Sequence, residues 1–75
     1  MKCFLRIGED CLEEATQHKS LAQAESAYRK VAEELGQYGQ SIEATIHIAK
    51  TLDEVAEYPD FVLTYEDDCV IKISA

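Results

Sequence analysis

Carboxylates are the most abundant side chains in this sequence that could do chemistry. They occur in adjacent pairs at Glu9-Asp10, Glu13-Glu14 and Asp67-Asp68. Acid–base catalysis by two carboxyl groups needs them in different environments within one pocket, and a chain of 75 residues rarely encloses such a pocket. We therefore interpret the pairs as hydrated surface charges and predict that the protein is not an enzyme.

A metal site is a second possibility for clustered carboxylates, because hard cations such as Ca²⁺ take several oxygen ligands. The run Glu66-Asp67-Asp68 does not have the spacing of an EF-hand loop and contains no glycine for its sharp turn. The sequence also lacks a glycine-rich phosphate loop, Gly-x-Ser-x-Gly, His-Glu-x-x-His and Cys-x-x-Cys. We predict no metal, no cofactor and no catalytic residue.

The histidines and cysteines are the remaining candidates for chemistry. His47 is expected to project from an open sheet face, and His18 lies in a polar segment before a helix. Cys3, Cys11 and Cys69 are odd in number and widely spaced, which indicates neither a disulfide framework nor a zinc site. We interpret them as small buried or half-buried apolar residues; a Cys3–Cys11 bridge across a hairpin is the alternative.

The net charge of −8, from 15 acidic and 7 basic residues, is the strongest functional signal. Such a surface repels nucleic acid and anionic membranes and favours a basic partner. Carboxylates along one edge of a small fold would present an anionic ridge comparable to duplex DNA. The alternative is that the acidity serves only solubility. The predicted partner-binding residues are Glu9, Asp10, Glu13, Glu14, Asp53, Glu54, Glu57, Asp67 and Asp68.

The first elements that must position these side chains are a strand and a helix. Residues 2–7 are rich in strand formers and 8–10 form a turn signal, so 11–15 are predicted to return as a short second strand. The alternative is that 11–19 are irregular or form an early helical turn. Ser20, or Thr16 one turn earlier, can cap the helix. The helix is predicted to end between residues 35 and 39, at its glycines. Its apolar stripe is Leu21, Ala24, Tyr28, Val31, Ala32 and Leu35.

The second half of the chain predicts three more strands. In residues 41–50, SIEATIHIAK, apolar and polar side chains alternate, and Ile42, Ala44, Ile46 and Ile48 share the face that must meet the helix. Thr51 and Glu54 have the spacing of a capping box for one helical turn through about Glu57. Residues 60–66 and 69–74 are the last two strands.

These elements predict a single α+β domain, residues 1–75, in the order β(β)αβββ. One amphipathic helix packs on one face of a four- to five-stranded antiparallel sheet. The other face would lack a cover, although Phe4 and Val62 do not suit solvent, so that face or a free edge is a candidate site for a homodimer. No signal peptide and no apolar run approaching about 20 residues is present, which favours a soluble cytoplasmic protein and no membrane contact.

The segment from residue 34 to 66 resembles a group of short acidic bacterial proteins associated with mobile elements. The shared positions are Tyr38-Gly39-Gln40, Ile42 to His47 and Glu57 to Asp60, which span about half of the chain. The end of this chain, TYEDDCVIKISA, is more acidic and strand-like than the glycine-rich end typical of that group. The resemblance implies context rather than activity, because accessory genes of phages and mobile elements encode small binding proteins, including anti-CRISPR inhibitors.

Charge and resemblance together predict a small non-enzymatic binding protein. It would block a basic nucleic-acid-handling partner, a protein or a complex, by nucleic-acid mimicry, without binding nucleic acid directly. The alternative is a structural module that associates with itself through the open sheet face or edge and is sensitive to changes at Phe4, Thr45 or Val62. A third hypothesis is that the protein is a small enzyme. This would need a pocket around His47, which the sequence does not indicate.

Overall fold

The architecture of the chain is one helix packed on a five-stranded antiparallel sheet, in a computed structural model that describes residues 1–75. The sheet order is β2-β1-β3-β4-β5, and every neighbouring pair is antiparallel. This confirms the predicted α+β class. The elements are β1 (Lys2–Ile7), β2 (Thr16–His18), α1 (Leu21–Gly36), β3 (Ala44–Ala49), β4 (Phe61–Glu66) and β5 (Cys69–Ser74), with 3₁₀ turns at Leu12–Glu14 and Leu52–Glu54.

The helix begins and ends where its local signals place it. The side chain of Ser20 accepts a hydrogen bond from the backbone N–H of Gln23 at 3.2 Å, which satisfies one of the free amides of the first turn. The helix ends at Gly36, as predicted. Its buried residues are Ala24, Tyr28 and Ala32, so the middle of the predicted stripe faces the sheet.

The core lies between α1 and the face of the sheet that it covers. Alternate strand residues contribute to it, because successive side chains of a strand point to opposite faces. Tyr28 is fully buried in this core, and its hydroxyl donates a 2.6 Å hydrogen bond to the backbone carbonyl of Ile42. The buried core residues of the sheet are Cys3, Leu5, Ala44, Ile46 and Leu63.

Replacing Tyr28 with phenylalanine is expected to destabilise the protein by about 1–3 kcal/mol, because the Ile42 carbonyl loses its donor in a partly buried position. Urea unfolding monitored by circular dichroism measures this change. The matched control is Tyr38→Phe, since Tyr38 is 74% exposed, and this variant is expected to unfold like the wild type. Equal stability of both variants would show that the buried hydroxyl contributes nothing.

The second strand lies later in the chain than the predicted 11–15. Those residues contain the 3₁₀ turn at Leu12–Glu14, and β2 pairs with β1 only from Thr16 to His18. The strand prediction for 11–15 was therefore wrong, whereas the alternative of a helical turn is confirmed in a 3₁₀ form. Leucine, glutamate and alanine favour helical over extended backbone, and this local preference prevails in a connection that is largely exposed.

The second face of the sheet is covered around His47 and Phe4, contrary to the sequence prediction. His47 is 1% exposed, and Phe4, its direct neighbour across β1 and β3, is also buried. The cover is the segment 50–60, which we name the strap. The ring Nδ1 of His47 lies 3.0 Å from the carbonyl oxygen of Ala56 in the strap. The predictions of a solvent-facing His47 and of an open face at Phe4 were therefore wrong.

The strap is held at its end by Asp60 rather than by a helix cap. One helical turn follows Thr51, as predicted, but Thr51 makes no capping hydrogen bond and the turn ends at Glu54, so the predicted capping box and the extent through about Glu57 were wrong. The carboxylate of Asp60 accepts a 2.7 Å hydrogen bond from the backbone N–H of Ile48. The backbone of Asp60 bonds to Ile46 and to Ala75 at 2.8 and 3.1 Å. The bonds to Ile46 and Ile48 extend the pairing of β3 with β4, and the bond to Ala75 extends the pairing of β4 with β5.

The three cysteines occupy two kinds of environment. Cys3 is buried, and burial raises the pKa of its thiol, which keeps it protonated and unreactive. Cys11 and Cys69 are exposed, so the buried interpretation was wrong for both; each lies beside a turn, where little chain is available to cover it. All three are free, and the alternative of a Cys3–Cys11 bridge is not formed.

Candidate functional site

The antiparallel strand order brings most of the turn carboxylates to one end of the sheet, which we name the acidic end. β1 and β4 finish at this end, β3 and β5 begin there, and α1 ends above it. Its acidic residues come from the β1–β2 connection, the last helical turn, the approach to β3 and the β4–β5 turn. They are Glu9, Asp10, Glu13, Glu14, Glu33, Glu34, Glu43, Glu66, Asp67 and Asp68.

The carboxylates of the acidic end are exposed and nearly free of ion pairs. Each of these residues is exposed to solvent. The only ion pairs in the protein join Arg29 to Glu33 at 2.9 Å and Lys72 to Glu25 at 3.5 Å, so Glu33 alone among them has a cationic partner. The surface thus keeps its negative charge available for a cationic group from outside.

The acidic end extends across the sheet rather than forming a single point. The β1–β2 connection and the β4–β5 turn are three strand spacings apart in the sheet order, which corresponds to roughly 14 Å. Duplex DNA carries one charge per about 1.7 Å of axis, so an equal length carries about eight charges. The ten carboxylates of the acidic end are therefore similar in number to the phosphates on an equal length of duplex.

The β4–β5 turn is fixed in position against the helix. Asp67 and Asp68 have positive φ angles of 50° and 63°, the backbone of a two-residue hairpin turn that aspartate tolerates better than most residues. Arg29 donates from its guanidinium to the carbonyl of Asp68 at 3.2 Å while it pairs with Glu33. A groove of about 380 Å³ lies between the helix end and this turn.

The predicted binding residues are not all brought together. Glu9, Asp10, Glu13, Glu14, Asp67 and Asp68 lie at the acidic end, whereas Asp53, Glu54 and Glu57 lie in the strap. The strap leaves β3 at the opposite end of the sheet, since Ala49 pairs with Lys2 at the start of β1. Lys2, Lys19 and Lys50 lie next to the strand ends there, whereas the cationic side chains near the acidic end are Arg6 and Arg29.

His47 is a structural residue of the strap rather than an exposed group. The carbonyl of Ala56 can only accept, so Nδ1 donates, and Nε2 of the neutral ring accepts from the hydroxyl of Thr45 at 3.1 Å. Burial lowers the pKa of His47, and the Arg6 guanidinium lowers it further, while the bond to Ala56 and the Asp60 carboxylate oppose the shift. The ring of His47 therefore keeps its neutral form to a lower pH than an unperturbed histidine does.

We expect the stability of the protein to fall as the pH decreases below about 6.5, the pKa of an unfolded histidine. Because the folded pKa of His47 is lower, the unfolded state binds more protons between the two values. Stability is complete above pH 6.5 and is lost toward the folded pKa, at up to about 1.4 kcal/mol per pH unit.

Urea unfolding between pH 5 and 8 measures the effect. His47→Asn removes this part of the pH dependence, whereas His18→Asn, at a half-buried position on β2, is the control and retains it. A pH profile that His47→Asn leaves unchanged would contradict the assignment.

The surface cavities are lined mainly by polar and charged side chains. A second cavity of about 400 Å³ lies beside Arg6, with Glu9 and Glu43 among its lining residues. No histidine or cysteine lines this cavity, the groove at Arg29 or the small depression beside Thr64. No group of three or more histidine, cysteine or acidic side chains is placed to hold a metal ion.

Sequence reasoning left four carboxylates out of the binding surface. Glu33, Glu34, Glu43 and Glu66 join the acidic end because a helix end, a strand start and a strand end meet there. Because β1 and β3 pair antiparallel, the end of β1 and the start of β3 lie at the same end of the sheet. Predicting this grouping requires knowing which strands are neighbours, and the residues alone do not specify that.

Comparison with known proteins finds no match among protein families, curated proteins or solved structures. The only helix in the fold is too short and too polar to cross a lipid bilayer.

Proposed function

We propose that this protein is a non-enzymatic binding protein that occupies a cationic, nucleic-acid-binding surface of a partner through its acidic end. The single observation that supports this proposal best is the clustering of exposed and mostly unpaired carboxylates where the β1–β2 and β4–β5 connections meet α1. Such a surface attracts lysine- and arginine-rich surfaces and repels nucleic acid itself.

Mimicry of nucleic acid is the mode of action that fits this distribution of charge. A groove that binds a duplex presents cationic side chains at the spacing of phosphates. The acidic end offers a similar number of charges over roughly 14 Å, about three strand spacings. An occupied groove is closed to its nucleic acid. The sequence resemblance of residues 34–66 to small proteins of mobile elements supports the proposal that the partner is a host protein that handles foreign nucleic acid in the cytoplasm.

Affinity capture at two ionic strengths tests the proposal. The immobilised protein is exposed to lysate of the organism that encodes it, at low and at high salt, with and without nuclease treatment. We expect a basic nucleic-acid-binding protein to be retained at low salt and released at high salt, because contacts between exposed charges are screened beyond about 8–10 Å. Retention after nuclease treatment shows that the contact does not pass through nucleic acid.

Two outcomes would contradict the proposal. If no basic protein is captured at low salt, the acidity has no partner and serves solubility. If capture survives high salt unchanged, the contact is apolar and the acidic end is not the binding surface. The strap variant Asp53→Asn, Glu54→Gln, Glu57→Gln is the internal control, since it removes carboxylates away from the acidic end and is expected to capture the same protein.

A further inference from the structure

The free edge of the sheet at β5 differs from the opposite edge at β2. β2 is only three residues long, which leaves little backbone for another strand to pair with. β5 has six residues, contains no proline, and is fully paired on one side with β4. The one charged residue in its sequence, CVIKIS, is Lys72, whose amine is paired with Glu25 at 3.5 Å and lies over the ring of Phe61; no other charged side chain blocks this edge.

β5 carries large apolar side chains that are exposed to solvent. Ile71 and Ile73 are 37% and 56% exposed on the face away from the helix. Across β4 they lie opposite Thr64 and Val62, and the strap covers His47 and Phe4 but leaves this outer part of the sheet uncovered. A strand of β-branched residues on an uncovered edge is typical of a strand that pairs in an assembly.

The distribution of charge indicates that a second copy of the chain can pair with β5. Two copies of a chain with a net charge of −8 repel one another over most of their surface. Residues 69–75 contain no acidic side chain, so β5 is a region where two copies can approach without opposing acidic side chains. In an antiparallel arrangement, the Asp67-Asp68 turn of each copy lies beside Ser74 and Ala75 of the other, whose side chains are uncharged.

We propose that β5 pairs antiparallel with β5 of a second copy of this chain, in a register centred on Ile71. The two-residue turn at Asp67 and Asp68 directs the backbone groups of Cys69, Ile71 and Ile73 to β4, so those of Val70 and Lys72 point outward. In this register Val70 bonds to Lys72 of the other copy, and the two Ile71 side chains meet in a close pair. A register centred on Lys72 would instead oppose two lysines.

The dimer is a continuous sheet, and its two-fold axis is perpendicular to the plane of the sheet. It turns the acidic ends of the two copies in opposite directions, so that each remains free for a partner. The dimer therefore does not depend on the proposed function. Dimerisation and binding of a basic partner respond to salt in opposite ways. Salt weakens binding of a basic partner and screens the repulsion between two acidic copies.

Sedimentation equilibrium from micromolar to millimolar protein tests the dimer at low and high salt. We expect the average mass to approach twice that of one chain, with equal or tighter association at high salt. Ile71→Lys is expected to raise the dimer dissociation constant by roughly 100-fold, because it places a charge in the apolar pair. Ile48→Lys is the matched control, since Ile48 is also 37% exposed but lies on β3, and it leaves the dimer intact.

Disulfide trapping tests the register. In a Cys11→Ser, Cys69→Ser background, Ile71→Cys is expected to form a covalent dimer with oxidised glutathione, because facing residues of such a pair are about 4.5 Å apart at Cα. Ile73→Cys is the control; in this register its two copies are roughly 14 Å apart and stay unlinked. A chain that remains monomeric at millimolar concentration, or a dimer that Ile71→Lys does not weaken, overturns the proposal. Capture of a basic partner by monomeric Ile71→Lys would show that the proposed function stands without it.

Discussion

Neutralising the six predicted carboxylates of the acidic end is expected to weaken binding of the captured partner by about 100-fold. The variant carries Glu9→Gln, Asp10→Asn, Glu13→Gln, Glu14→Gln, Asp67→Asn and Asp68→Asn. Exposed charge pairs contribute about 0.2–1 kcal/mol each, and the loss of six corresponds to roughly 3 kcal/mol, or two orders of magnitude in affinity. Asparagine accepts the positive φ angles of the β4–β5 turn, so the fold is expected to survive.

Two triple variants with the same kinds of substitution distinguish the effect of carboxylate position on binding from the effect of total charge. One changes Glu9, Glu13 and Asp67 at the acidic end; the other changes Glu54, Glu57 and Asp53 in the strap, with the same amide replacements. Both raise the net charge by the same amount. Isothermal titration is expected to show about a tenfold loss for the first and little change for the second. Equal losses would mean that only the overall charge matters.

The second large effect concerns the core. Ile46→Ala is expected to lower the free energy of unfolding by about 2–5 kcal/mol, because Ile46 is fully buried on β3 between β1 and β4 and its loss leaves a cavity. A domain of this size has a total free energy of unfolding of about 4–11 kcal/mol, at about 0.05–0.15 kcal/mol per residue. The substitution therefore removes a large part of the stability.

Ile48→Ala is the control for this change, because Ile48 is two residues away on the same face of the same strand but substantially exposed. It is expected to cost less than about 1 kcal/mol. Urea unfolding measures both values, and equal slopes with urea concentration would show that only stability has changed. Similar losses for the two variants would contradict the position of the core under α1.

The elements with strong local signals were predictable from the sequence. The Ser20 cap, the apolar stripe around Tyr28 and the alternation through Ile46 each depend on neighbours along the chain, and the structure confirms the helix and β3. β2 was misplaced because three residues carry too little periodicity to locate a strand, and because the segment before it favours a helical turn.

The strap could not be predicted for a different physical reason. The apolar side chains of residues 50–60 do not alternate with polar ones as in a strand, and polar contacts hold the segment: Asp60 to the amide of Ile48, and His47 to the carbonyl of Ala56. Such contacts have no period that a sequence pattern could indicate. The prediction that His47 faces solvent was wrong for this reason, because alternation assigns a side to each residue but does not show what covers that side.

The acidic end was predictable in part. The position of Glu9, Asp10 and Asp67 in turns indicated that they would be exposed, and they are. Which turns share an end depends on strand order, and β3 lies between β1 and β4 through a pairing of residues about 40 positions apart in the chain. That long-range pairing separates the strap carboxylates from the others.

Competition with nucleic acid tests the central claim most directly. The partner recovered by affinity capture is bound to a fluorescent duplex, and anisotropy is followed as the acidic protein is added. We expect wild-type protein to displace the duplex competitively, and the variant lacking the six acidic-end carboxylates to need about 100 times more protein for the same effect. Simultaneous binding of duplex and protein, or equal displacement by the variant, would contradict the claim that the acidic end occupies the nucleic-acid site.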